Sequence, residues 1–245
     1  MRRFALLALL LAAAAQAQEK TESLEMLGHM GARQALLSLY GRQRPDGSWR
    51  VTGEYLLLPG LQRRFLEGER GPQLGVTFLK EGTTPILWAR EPTATLQGTW
   101  REGRFSGTRY GPGGQVREKF EFSDEFPPLD AYSGEWQCKA GDGRYDSSFA
   151  VAIEAGRVKP GSLQWRSTLE PSGHGCALGA LEQRPFRGGL RLAAGRCAVT
   201  LRDLGEAVKI EAEDCAESCA SQGYLEPILA DKRGGACRLL RPQPR

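Results

Sequence analysis

Short apolar-alternating runs recur about every ten residues from Ala32 onward, with Gly or Pro turns between them. That spacing leaves room for strands and for little else. The runs in the first half are Ala35–Tyr40, Trp49–Leu57, Leu74–Leu79, Ile86–Arg90, Thr95–Trp100, Phe105–Tyr110 and Val116–Phe122. In the last, Val116, Glu118, Phe120 and Phe122 alternate with Arg117, Lys119 and Glu121. Pro45-Asp46-Gly47 and Pro112-Gly113-Gly114 carry the backbone angles that tight reversals need. Only Thr21–Met30 reads as helix, from Leu24, Met26 and Leu27 ahead of Gly28. The fold class predicted is all-β, with two small antiparallel β-sandwich or open-barrel domains.

The rhythm breaks at Ser123-Asp124-Glu125-Phe126-Pro127-Pro128-Leu129-Asp130, where two acids and a Pro pair mark a domain junction. The domains predicted are 18–126 and 129–245. The second half restarts with Tyr132–Cys138, Ser148–Ile153, Leu163–Ser167, Cys176–Leu181, Leu190–Ala193, Cys197–Leu201 and Ala207–Glu213. Gly47-Ser48-Trp49-Arg50 and Gly98-Thr99-Trp100-Arg101 look alike. Convergent turn-plus-aromatic chemistry is favoured over hairpin duplication.

Residues 1–17 read as a secretory signal peptide. Arg2-Arg3 is followed by a Leu/Ala run and by Ala15-Gln16-Ala17, with cleavage before Gln18. The run is too short for a permanent membrane anchor. Localisation is therefore expected to be periplasmic or secreted, and the Ala/Gly/Arg/Leu bias suggests a bacterium. Losing residues 1–17 lowers the formal charge from +4 to +2. A near-neutral chain gives no electrostatic case for nucleic acid or anionic lipid as partner.

All six cysteines, Cys138, Cys176, Cys197, Cys215, Cys219 and Cys237, lie after residue 137. An even number in an exported chain predicts disulfides that staple only the C-terminal domain. Cys176 and Cys197 start successive apolar segments, which suggests the pair Cys176–Cys197. Cys219–Cys237 would tie down the Gly-rich end, leaving Cys138–Cys215.

The sequence lacks a nucleophile elbow, a Walker loop, a His-Glu-x-x-His run and a Cys-x-x-Cys run. Its histidines are His29, in the run Gly28-His29-Met30-Gly31, and His174, between Gly173 and Gly175. The acids Glu211, Glu213, Asp214 and Glu217 fall partly on the solvent side of one strand, so no metal and no cofactor are expected. Ser172-Gly173-His174-Gly175-Cys176 resembles the nucleophile motif of the L,D-transpeptidases, exported enzymes that cross-link peptidoglycan. The resemblance implies Cys176 as attacking thiolate with His174 beside it. Gly173 and Leu178 depart from that pattern, and no histidine lies between His29 and His174. Trp136-Gln137-Cys138 resembles the aromatic-x-Cys start of exported lysozyme inhibitors, without the rest of their pattern.

The function expected is a non-enzymatic binding or inhibitory role in the cell envelope, toward an envelope protein or a cell-wall component. The alternative is an envelope enzyme acting on peptidoglycan through Cys176/His174 or through a carboxylate pair.

Overall fold

The computed structural model describes residues 20–58, 62–71, 75–84, 91–129, 132–141, 145–169, 174–178, 180–186, 188–219, 225–232 and 237–240. The predicted signal peptide, residues 1–17, and the run Ile86–Arg90 lie outside them. The described chain is all-β, and its one helical element is the 3₁₀ turn Ala216–Ser218.

Eight strands form a closed up-and-down barrel: β1 (Thr21–Met30), β2 (Arg33–Gln43), β3 (Trp49–Leu57), β4 (Gln62–Arg70), β5 (Val76–Gly82), β6 (Ala94–Arg101), β7 (Arg104–Tyr110) and β8 (Val116–Ser123). Closure comes from β1 pairing with β8, with Gly28 opposite Phe122 and Met30 opposite Phe120. A Cβ on Gly28 would fall on the Glu121 carbonyl oxygen, so only glycine lets β8 come this close. The interior is filled by alternate residues such as Leu37, Tyr55, Leu66, Leu79, Leu96, Phe105 and Phe120, all buried. Eight strands leave a bore that side chains can fill. Gly98 makes room for two of the rings, since a Cβ there would lie 2.7 Å from Phe105 and 2.8 Å from Phe120. The outer wall carries the ion pairs Arg50–Glu67, Arg63–Glu54 and Arg104–Glu121. Apolar inside and charged outside is the reverse of a lipid-facing barrel.

The second domain is a sandwich. One sheet contains β9 (Gly134–Gly141), β10 (Tyr145–Glu154), β11 (Arg157–Val158), β12 (Gln164–Leu169) and β13 (His174–Ala177). The other runs in order through β14 (Glu182–Arg184), β15 (Leu190–Ala194), β16 (Cys197–Asp203), β17 (Ala207–Glu213), β18 (Ile228–Asp231) and β19 (Cys237–Leu239). Trp136, Phe149, Val151 and Trp165 from the first sheet meet Val199, Leu201, Val208 and Ile210 from the second in one core.

The helix expected over Thr21–Met30 is instead β1. Leu24, Met26 and Met30 face the barrel core with the period of a strand. Leu27 is buried on the opposite face, against Leu204, Ala207 and Leu229 of the second domain. Burial on both faces hid the alternation, and Leu36 and Leu56 join Leu27 in the same contact. Glu25 on the outer face of β1 receives Lys209 at 2.5 Å and Arg202 at 3.0 Å. Burial opposes the charge of Lys209, but Glu25 and Glu211 outweigh it and hold the ammonium protonated above its usual range. The junction is packed as well, with Phe126 in the interdomain cluster and Leu129 in the sandwich core.

The disulfides differ in pairing from the sequence expectation. They are Cys138–Cys237, Cys176–Cys219 and Cys197–Cys215, with Cα separations of 5.5, 4.1 and 4.2 Å. Cys176–Cys197 does not form because each cysteine has another one as its neighbour, Cys197 meeting Cys215 across the β16–β17 hairpin. Cys219 instead makes an isolated antiparallel bridge to Cys176. Cys138–Cys215 is replaced because Cys215 follows β17, whose hairpin partner β16 begins at Cys197. Cys219–Cys237 gives way because β19 lies beside β9 and so brings Cys237 to Cys138. All six cysteines are paired within the second domain.

Each bridge is expected to contribute about 3–5 kcal/mol in the chain-entropy picture, most for the 99-residue loop. In reductant, hydrogen exchange should therefore show β9–β19 amides losing protection while β4–β7 amides keep theirs. Equal loss in both sets would place the disulfide contribution elsewhere.

Candidate functional site

The structure does not offer the residues of the transpeptidase resemblance as a catalytic pair. Cys176 is buried on β13 and bonded to Cys219, so its sulfur is no nucleophile in this state. His174 lies two residues earlier on the same strand, opposite Leu169, and its side chain is outside the described residues. His29 stands exposed on β1 of the barrel, in a strand where the sequence suggested a helix. Glu211 pairs with Lys209 and Glu213 with Arg191. Among the described residues no group of three metal-ligating side chains converges.

Ser147 and Ser167 were missed by the sequence reading. Register places Ser147 opposite Ser167 and Ser167 opposite Cys176, one row across the buried face of the sheet. Both hydroxyls are buried without a protein hydrogen-bond partner, as is Trp165 Nε1. An unpaired buried hydroxyl costs about 1–3 kcal/mol.

The densest buried charge lies in the barrel and was also missed. Glu81 on β5 is fully buried and forms a two-point bond with Arg109 on β7, at 2.7 Å to Nε and 2.8 Å to Nη2. Tyr55 donates to Glu81 Oε2 at 2.6 Å, and Thr93 donates to Oε1 at 3.1 Å. Arg109 also reaches Glu118 at 3.1 Å. Burial would raise the Glu81 pKa, but bonds from Arg109, Tyr55 and Thr93 hold it below the usual carboxylate range. Burial first, and then the Glu81 charge, push the Tyr55 phenol far up. With four donors on two oxygens, Glu81 has no capacity left for proton transfer to a substrate. It cross-links β3, β5 and β7 from inside.

Near the opposite end of the strands, Arg70 sits over Trp49 at 4.6 Å and Trp100 at 5.8 Å, and pairs with Glu22 at 2.7 Å. Trp100 stacks on Phe105 at 4.6 Å and donates to Thr77 at 2.9 Å. Trp49 opens β3 whereas Trp100 comes late in β6. The similar tetrapeptides thus hold different strand positions and converge on one cation.

Two open clefts have polar linings: one of about 860 Å³ on the barrel, lined by His29, Arg104, Lys119 and Glu121, and one of about 610 Å³ in the second domain, bordered by β11 and β14. The lining of the latter includes Arg157, Arg184, Phe186 and Leu190. Arg191 and Arg202 approach the same Phe186 ring at 5.9 and 5.7 Å. Arg157 is exposed at this cleft, whereas Arg191 and Arg202 also pair with Glu213 and Glu25. No known protein family, curated protein or solved structure matches this chain.

Two stability outcomes follow. Arg109→Ala should cost about 3–5 kcal/mol by stranding buried Glu81, whereas Glu81→Leu with Arg109→Met should cost less. Because Glu81 is depressed in the folded state, its contribution is present above the ordinary value of about 4.3. It is lost as pH falls through the lower folded value. Denaturant midpoints from pH 6 to pH 2 should show this loss in the wild type and not in the double variant. Separately, Ser147→Ala and Ser167→Ala should each leave stability unchanged or raise it by about 1 kcal/mol. A loss above that size in chemical denaturation would mean that these hydroxyls have partners.

Proposed function

We propose that this protein is an exported, non-enzymatic binding or inhibitory protein of the bacterial cell envelope. One observation supports this reading above the others: the sulfur of Cys176, the side chain that the enzyme reading needs free, is covalently committed to Cys219. The buried Glu81 group supports it too, because its carboxylate is saturated by donors of its own barrel. Three disulfides fit an oxidising compartment outside the cytoplasm. Together with the leader-like residues 1–17 they favour the periplasm or secretion. What remains for function is surface: a polar barrel wall and a basic, aromatic cleft.

The test is thiol alkylation of protein purified from the periplasmic fraction, followed by a peptidoglycan stem-peptide exchange assay. Intact mass should start at Gln18, alkylation should add nothing before reduction, and exchange should be absent. Exchange that vanished in both Cys176→Ser and His174→Ala would overturn the binding reading.

A further inference from the structure

The two edge strands that border the cleft, β11 and β14, face each other, and no ladder joins them among the described residues. The side-chain amide of Gln183 on β14 spans the gap instead. Its Oε1 accepts from the Val158 N–H at 3.0 Å, and its Nε2 donates to the Gly156 carbonyl at 3.0 Å. Those two main-chain groups flank Arg157 and are the ones a neighbouring strand would engage. Gln183 therefore occupies, with one amide, the place of a peptide backbone. An open strand edge is a template for another chain.

The surroundings specify what that chain would be. On one side of Gln183 the 610 Å³ cleft presents Arg157 and Arg184, and its lining holds no carboxylate. Arg157 is exposed, and Arg184 keeps only a loose, exposed contact of 3.5 Å with Glu182. On the other side a cleft of about 370 Å³ has an apolar floor of Val158, Leu163, Leu181 and Leu192, with Lys159 and Glu182 also in its lining. Both clefts share Val158 and Gln183, so an extended segment along β11 would cross both.

We propose that this edge docks an extended segment of a partner protein, carrying a run of carboxylates next to a run of apolar residues. The segment displaces the Gln183 amide and bonds Gly156 and Val158 through its backbone. Its carboxylates lie on Arg157 and Arg184, and its apolar side chains enter the Val158–Leu181–Leu192 cleft. Backbone bonds supply affinity in this mode, and the pockets supply selectivity. The inference rests on the binding role proposed above and gives it a surface and a partner class.

The experiment uses the full mature protein and two labelled, capped hexapeptides, Glu-Glu-Glu-Val-Ile-Val and its reverse, with Lys-for-Glu versions as controls. Fluorescence anisotropy should show at least one acidic peptide binding and the Lys versions not binding. Gln183→Ala should tighten binding about threefold, because a competing amide is gone. Arg157→Glu with Arg184→Glu should weaken it by on the order of tenfold. Absence of acidic-peptide binding, or unchanged affinity in Gln183→Ala, overturns the proposal. Self-association that rises with concentration and is lost in the double Arg variant would assign the edge to a second copy and also overturn it. If an envelope partner is captured equally well by wild type and the double Arg variant, this surface is wrong and the binding role stands. Stem-peptide exchange activity would remove the binding role itself.

Discussion

At the end that meets the second domain, strands β1 to β3 are buried on both faces, and both domains depend on that shared wall. Inward, Met26, Leu37, Tyr55 and Leu57 fill the barrel. Outward, Leu27, Leu36 and Leu56 seat Leu204, Ala207 and Leu229. Burying an aliphatic side chain contributes about 1.5–3 kcal/mol, so an interdomain cluster of this size outweighs a surface ion pair. The half-buried pair Glu25–Lys209 and its neighbour Arg202 then set the register between the two bodies. A hydrophobic patch alone would permit sliding, whereas paired charges do so only at the cost of separation.

The two domains use different means to stay folded. The barrel has no cysteine and is tied across its interior by the Tyr55–Glu81–Arg109 bonds. The sandwich has edges, and covalent bonds secure two of its exposed boundaries. Cys138–Cys237 joins β9 to β19, and Cys176–Cys219 covers part of the free side of β13. At the third boundary, between β11 and β14, the hydrogen bonds among the described residues come from one glutamine amide.

Much of this was legible in the sequence, and the failures have physical causes. The limits of β3 and β17 agree with the runs Trp49–Leu57 and Ala207–Glu213, where one face is apolar and turn residues bound the strand. β4 was missed because its inward positions hold Arg64, Gly68 and Arg70 around a single Leu66. The β1 misreading came from tertiary burial of Leu27, which no local pattern contains. Disulfide partners depended on which strands become neighbours, and β9 with β19 is a contact between the two ends of a domain. Glu81 and Arg109 did leave a trace. Each lies on the apolar phase of its strand, two residues from Leu79 and four from Phe105, where a charge must find a buried partner. Nothing in the sequence paired Gln183 with the backbone of residues 156–158.

The bridge between Cys138 and Cys237 also determines how the molecule would respond to being pulled from its ends. Tension entering at β1 and leaving after β19 would cross the second domain through one covalent link and bypass the 99-residue separation between those cysteines. At about 3.4 Å per extended residue, roughly 330 Å of chain is hidden from the load. The barrel, with no such shortcut, would be the part that lengthens. The sandwich, with its basic cleft, would stay folded under force, and its hold on the load would depend on the redox state of one bond.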